Sequence, residues 1–138
     1  MSAYRSVFRR DLFAGQTVVV TGGGSGIGRC TAHELAALGA HTVLVGRKSD
    51  KLIATAAEIA EDGGSASWRA CDIRDEEAVK ATIAAVVGER GGIDGLVNNA
   101  GGQFPAPLSA ISQKGFETVV RTNLVGGFLV AREVYNQS

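Results

Sequence analysis

The sequence predicts an α/β fold built on a doubly wound parallel sheet. Short runs of aliphatic and β-branched residues alternate along the chain with longer segments of helical period, and crossovers of that length join parallel strands. The first run, Thr17-Val18-Val19-Val20, opens into TGGGSGIG at 21–28, five glycines in eight positions, and the chain then turns helix-like. The expected strands are 17–21, 41–45, 67–71 and 93–98, each brief enough for a buried strand. The first helix shows Ile27, Thr31, Leu35 and Leu38 on one face and stops at Gly39. A second runs from about Asp50 through Leu52, Ala56 and Ile59 to Gly63-Gly64. The third buries Val79, Ile83, Val86 and Val87, with Asp75, Glu76 and Glu77 in its first turn, where the helix dipole favours negative charge. Gln103 to Ser112, with Pro105 and Pro107, reads as an ordered loop before a fourth helix.

Composition narrows the function classes. The chain has 138 residues, is 45% hydrophobic and balances 14 basic against 14 acidic side chains. That size supports one domain, 1–138, with a real core, and the neutral balance points away from nucleic acid as a partner. Cys30 and Cys71 lie far apart with no CxxC and no nearby His pair, so neither a disulfide framework nor a metal site is expected. No apolar stretch is long enough to span a bilayer, and no membrane partner is expected. Arg5, Arg9 and Arg10 hint at an organellar presequence, but Asp11 and the short length argue against one. A cytoplasmic location follows, or a peroxisomal or mitochondrial one in a eukaryotic source.

A strand that runs into Gly22, Gly26 and Gly28 and then into a helix offers backbone N–H groups and the positive helix end to a ligand, which favours phosphate. Two familiar phosphate loops fail here. Gly23 to Gly28 has the Walker A spacing, but Arg29 and Cys30 replace its Lys and hydroxyl. GxGxxG fails because position 27 is Ile; the spacing is Gly-x3-Gly-x-Gly. A tight turn without ligand would also use glycine.

TGGGSGIG, Asp72 in CDI, NNAG at 98–101 and Asn123 in TNLVG follow one another in a single order. Together they resemble the short-chain dehydrogenase/reductase family over essentially the whole chain. The resemblance implies a Rossmann-type sheet, of which this chain is the N-terminal part, and an NAD(P)-binding domain. It assigns the cofactor pyrophosphate to Gly22, Ser25, Gly26, Ile27 and Gly28, and makes Thr21 and Lys48 cofactor-binding residues as well. It assigns the adenine amino group to Asp72, beside Ile73, and the adenosine ribose to the turn containing Asn99, Ala100 and Gly101. Asn98 and Asn99 also suit plain turn chemistry, in which side-chain amides satisfy backbone groups.

Charge at the end of the second strand bears on cofactor choice. An acidic residue there takes the ribose hydroxyls of NAD, whereas arginine accommodates the 2′-phosphate of NADP. Here Gly46 is followed by Arg47 and Lys48, and no carboxylate competes until Asp50. NADP(H) is the expected cofactor; the alternative is that both cations are simply solvated.

The fourth helix is apolar nearly all round. Phe116, Val119, Val120, Asn123, Gly127, Val130, Ala131 and Val134 share one face, while Leu124, Val125, Phe128 and Leu129 make much of the rest apolar. One side is expected on the sheet and the other on a partner subunit, giving a homo-oligomer of the full-length protein. Asn123 is expected as a buried amide with partners. The resemblance makes it the asparagine that shapes the catalytic centre.

The family's catalytic YxxxK is not identifiable: Tyr4 meets Phe8, and Tyr135 lies only twelve positions after Asn123. The chain is therefore expected to stop before the catalytic Tyr/Lys region and to be inactive alone. GGQF at 101–104 and the segment after it look like the peroxisomal trans-2-enoyl-CoA reductase and 2,4-dienoyl-CoA reductase branch. That likeness implies NADPH reduction of an enoyl-CoA thioester, with an acyl-CoA as small-molecule partner. The alternatives are an alcohol or carbonyl dehydrogenase, citronellol-like or acting on a 3-oxoacyl thioester, and a nucleotide-binding module without chemistry.

Overall fold

A computed structural model describes residues 4–138. Four parallel strands, β1 (Thr17–Thr21), β2 (His41–Gly46), β3 (Ser65–Ala70) and β4 (Gly95–Val97), form one sheet in the order β3-β2-β1-β4. Helices α1 (Gly26–Ala37), α2 (Ser49–Glu61) and α3 (Glu76–Arg90) make the crossovers. A short 3₁₀ turn, Leu108–Ala110, leads into α4 (Gln113–Val119), a π-helical stretch (Val120–Gly126) and α5 (Gly127–Gln137). The doubly wound α/β, Rossmann-type architecture is as expected.

Strand alternation separates two cores. Val18, Val20 and Leu44 face α1 and α2, packing on Ala32, Ala36, Leu52 and Ile59. Val19, Val43 and Val45 face the opposite way, toward Val79, Ile83, Val86, Leu129 and Val130 of α3 and α5. Neighbouring residues of one strand thus serve opposite layers.

Five expectations need correction. The buried stripe of α1 is Gly28, Ala32 and Ala36, whereas Ile27 is exposed. Small residues win that face because the helix approaches β1 so closely that a Cβ on Gly28 would lie 2.2 Å from the Gly22 carbonyl oxygen. β3 begins and ends earlier than 67–71, because its edge position leaves it half exposed and blurs its hydrophobic signal. β4 is confined to three residues opposite Val18 to Val20. The fourth helix is not one regular α-helix, and Phe116 lies exposed rather than on its buried face. Asn123 is exposed too, although its amide is fully engaged.

Candidate functional site

All four strands end at the same side of the sheet, and the strand order reverses between β1 and β4, the position where open α/β sheets leave a crevice. A cleft of about 820 Å³ opens there. The glycine turn forms its floor. Gly22 (φ +66°) and Gly26 (φ +53°) adopt the left-handed conformation that glycine reaches without strain. A Cβ on Gly26 would meet nothing within 4 Å, so the backbone itself faces open space.

Helix α1 starts bare. Ser25 precedes it in an extended conformation, makes no capping hydrogen bond, and no acidic residue occupies the first turn. Helix α3 starts in the opposite way, with Asp75 accepting from the Ala78 N–H at 3.1 Å and Glu76 and Glu77 behind it. Unfilled N–H groups at the positive end of α1, beside an open glycine turn, suit an anion such as a pyrophosphate.

The second wall comes from β4 and the loop after it. Thr21 is fully buried beneath the cleft, and its Oγ1 receives the N–H groups of Asn99 and Ala100, both at 2.9 Å. Asn99 Nδ2 returns a bond to the Thr21 carbonyl at 3.0 Å, fastening NNAG to the end of β1. Asn98 Nδ2 reaches the Gly127 carbonyl at 2.7 Å, fastening the same turn to α5. Beyond it, Asn123 holds Gly102 from both sides: its Oδ1 accepts the Gly102 N–H at 3.1 Å and its Nδ2 donates to the Gly102 carbonyl at 2.7 Å. Asn123 sits within the π-helical stretch, a distortion frequent at functional sites.

The ends of β2 and β3 carry the charge. Arg47, Lys48 and Lys51 line the cleft after β2, and Asp72 and Arg74 line it after β3. Arg74 grips the Asp72 carboxylate through Nη2 at 2.7 Å and Nε at 3.0 Å. The paired guanidinium bonds hold the Asp72 carboxyl down to about 2, against the opposing pull of its partial burial. Ile73 between them turns inward, and its side chain fills the space a Cβ on Gly126 would need.

Of the residues marked in the sequence, Gly22, Ser25, Gly26, Ile27, Arg47, Lys48, Asp72, Ile73, Asn99, Ala100 and Gly101 line this one cleft. Thr21 and Gly28 are buried behind its surface, and the exposed Asn123 holds its wall through Gly102. Sequence reasoning missed Arg74, Lys51, Phe104 and Thr122, which line it as well. None of them carried a signal in the sequence: Arg74 meets Asp72 through the turn that the Asp75 N–H to Asp72 carbonyl bond closes, not through strand alternation.

Residues 16–137 match the family model for short chain dehydrogenase. The chain belongs to the short chain dehydrogenase family. It is 43% identical over 126 residues to a glucose 1-dehydrogenase of Gluconobacter oxydans, a match spanning 91% of this chain and 47% of the relative. It is 36% identical over 138 residues to the peroxisomal 2,4-dienoyl-CoA reductase of Rattus norvegicus, spanning 99% of this chain and 47% of the relative. Among solved structures, a citronellol catabolism dehydrogenase of Pseudomonas aeruginosa PAO1 is 74% identical and superimposes with a TM-score of 0.94, over 98% of this chain and 55% of that one. The chain thus spans about half the length of the curated relatives it matches. Family members are oxidoreductases that use nicotinamide cofactors. Among the described residues, no helix is long and apolar enough to cross a membrane, and no cluster of His, Cys, Asp or Glu could hold a metal ion.

Proposed function

We propose that this chain binds NADP(H) in the cleft above the sheet, as the nucleotide-binding part of an oxidoreductase. The observation that carries the reading is the meeting of a bare helix start and glycine turn with Arg47, Lys48 and Lys51 in one cleft. The first suits a pyrophosphate, and the second suits an additional phosphate on the adenosine ribose. Gly22, Ser25, Gly26, Ile27 and Gly28 would form the pyrophosphate cradle, and Asn99, Ala100 and Gly101 the wall beside the ribose. A bound nicotinamide supplies a hydride donor or acceptor. The chain's own part is to hold the cofactor and, through Asn123, to fix the Gly101-Gly102 loop at the edge of the cleft.

For substrate class, the 74% identity to a citronellol catabolism dehydrogenase supports oxidation or reduction of a terpenoid alcohol or carbonyl. The likeness to 2,4-dienoyl-CoA reductase along nearly all of this chain supports the second reading, reduction of an enoyl-CoA thioester. Both readings take a small-molecule substrate, and both would use the cleft described above for the cofactor.

The cofactor reading is tested by fluorescence titration of the chain with NADPH and NADH. NADPH is expected to bind at least about tenfold more tightly, the effect of one charge-assisted contact, and Arg47→Asp is expected to reverse the order. Equal affinities would overturn it. For the substrate, the whole protein that carries this chain is assayed with citronellol plus NADP and with crotonyl-CoA plus NADPH; turnover of one alone selects its reading.

A further inference from the structure

We propose that Arg74 is a positioning residue for the base end of the cleft: it aims the Asp72 carboxylate so that the site prefers a purine bearing an exocyclic amine over one bearing a carbonyl there. The inference rests on the reading that the cleft holds an adenine dinucleotide with its base near Asp72.

The geometry is that of a fork closing on a fork. Asp72 Oδ1 accepts the backbone N–H of Arg74 at 3.0 Å and its Nε at 3.0 Å. Asp72 Oδ2 accepts Nη2 at 2.7 Å and shares Nε at 3.2 Å. A carboxylate offers about four lone-pair positions, and these contacts use three protons, since the single Nε–H is shared by both oxygens; Oδ2 therefore keeps acceptor capacity. The pair is also tied down locally, because the Asp75 N–H bonds to the Asp72 carbonyl at 3.0 Å and closes the turn just before α3 begins. Ile73 is buried in the opposite direction, so the segment cannot roll without pulling its side chain from the core.

Those constraints give Asp72 a fixed direction and a fixed role. An ionised carboxylate accepts hydrogen bonds and donates none. Acceptor capacity on a carboxylate that lines the cleft therefore welcomes an N–H and repels a carbonyl oxygen. A carboxylate without the guanidinium could rotate, fill its positions with water and discriminate far less. The side chains of Asp72 and Arg74 are 36% and 34% exposed and line the same cleft, so a ligand can reach the pair. Lysine could keep the charge at position 74 but not the two-nitrogen grip.

The test titrates the chain with NADPH and with reduced nicotinamide hypoxanthine dinucleotide phosphate, in which the 6-amino group is replaced by a 6-oxo group. Both are read by nicotinamide fluorescence, independently of turnover. The native chain is expected to prefer the adenine form by about tenfold, the effect of one hydrogen bond to a charged group. Arg74→Met should bring the two affinities within about twofold, and Arg74→Lys should restore only part of the preference. Thermal melts of each variant check that it is folded, and Asp72→Asn should abolish the preference whatever stands at 74. An undiminished preference in folded Arg74→Met, with both affinities lowered alike, would overturn the proposal while leaving the cofactor reading intact. Equal binding of the two forms by the native chain would remove Asp72 from the base and Arg74 with it. Binding of neither would overturn the cofactor reading itself.

Discussion

The side-chain amide of Asn99 occupies the space that a methyl group on Gly28 would need: an added Cβ would lie 2.5 Å from Asn99 Nδ2 and 2.2 Å from the Gly22 carbonyl oxygen. Helix α1, the glycine turn and the NNAG turn therefore meet at a point with no room for a side chain. Gly28→Ala must displace a backbone carbonyl or the amide that ties β4 to β1, and overpacking of this kind costs about 1–3 kcal/mol. The variant should show a lower urea midpoint and lose NADPH binding together. Gly88→Ala, in α3 where a Cβ would meet nothing within 4 Å, should instead stabilise by about 0.5–1 kcal/mol and leave binding alone.

Asn123 gives a second test of how the cleft is held. Its amide bonds Gly102 in both directions and also donates to the Val119 carbonyl at 2.9 Å, one turn back. Asn123→Ala should cost about 1 kcal/mol, modest because the residue is exposed, yet it should free the Gly101-Gly102 loop. Amide hydrogen exchange at Gly102 should rise sharply in the variant. Asn123→Asp keeps the acceptor for the Gly102 N–H and should protect that amide better. Unchanged exchange in the alanine variant would mean that other contacts fix the loop.

How far the sequence could be read follows from where physical constraints overlap. β1 and β2 were legible because both of their faces are buried, so Val18, Val19, Val43 and Leu44 are apolar without interruption. The glycine turn was legible because a close backbone approach admits one residue type. Hydrophobic size alone points to Ile27 on the buried face of α1, whereas close packing beside β1 selects Gly28, Ala32 and Ala36. The π-helical stretch left no mark, since a changed hydrogen-bond register alters no side-chain chemistry. Arg74 escaped notice because a single cation two residues after a carboxylate has meaning only once the turn at Asp72 to Asp75 is formed.

The two helix starts should respond differently to truncation. Asp75→Ala removes the cap of α3 and should cost about 1 kcal/mol of stability with no effect on NADPH affinity, because Asp75 does not line the cleft. Ser25→Ala removes no cap and should change stability by less than about 0.5 kcal/mol. Its effect should appear in NADPH affinity, as measured by titration.

The Asp72–Arg74 pair predicts a pH dependence of stability. The folded carboxyl titrates near 2, below its ordinary 3.8, so the folded chain holds the charged form more strongly than the unfolded chain does. The contribution is fully present above the unfolded value and is lost as pH falls through the folded one. Denaturation of the native chain and of Arg74→Met should therefore differ by a constant amount above about pH 5, and the two should converge between about pH 4 and pH 2. Partial exposure keeps the plateau small. A difference that persists unchanged to pH 2 would assign the effect of Arg74 to packing rather than to charge.

The outer face of the last helices predicts self-association. Leu124, Val125, Phe128 and Tyr135 are all exposed, while Leu129, Val130 and Glu133 of the same segment pack inward. Arg132 holds its guanidinium 5.3 Å from the centre of the Phe128 ring, so the patch has an apolar centre with a cation beside it. Next to it, β4 lies at the edge of the sheet and pairs only with β1 among the described residues, presenting unpaired backbone groups. A second copy of the chain can cover such a self-complementary face through a two-fold axis. Phe128→Asp should weaken that association at least about tenfold, since one buried aromatic side chain is worth well over 1.4 kcal/mol. The new carboxylate stands near Arg132 and can pair with it, so the monomer should stay folded and its NADPH affinity should stay within about twofold. Sedimentation decides the matter: a native chain that runs as a monomer, or a variant whose assembly is unchanged, would remove α5 from the interface.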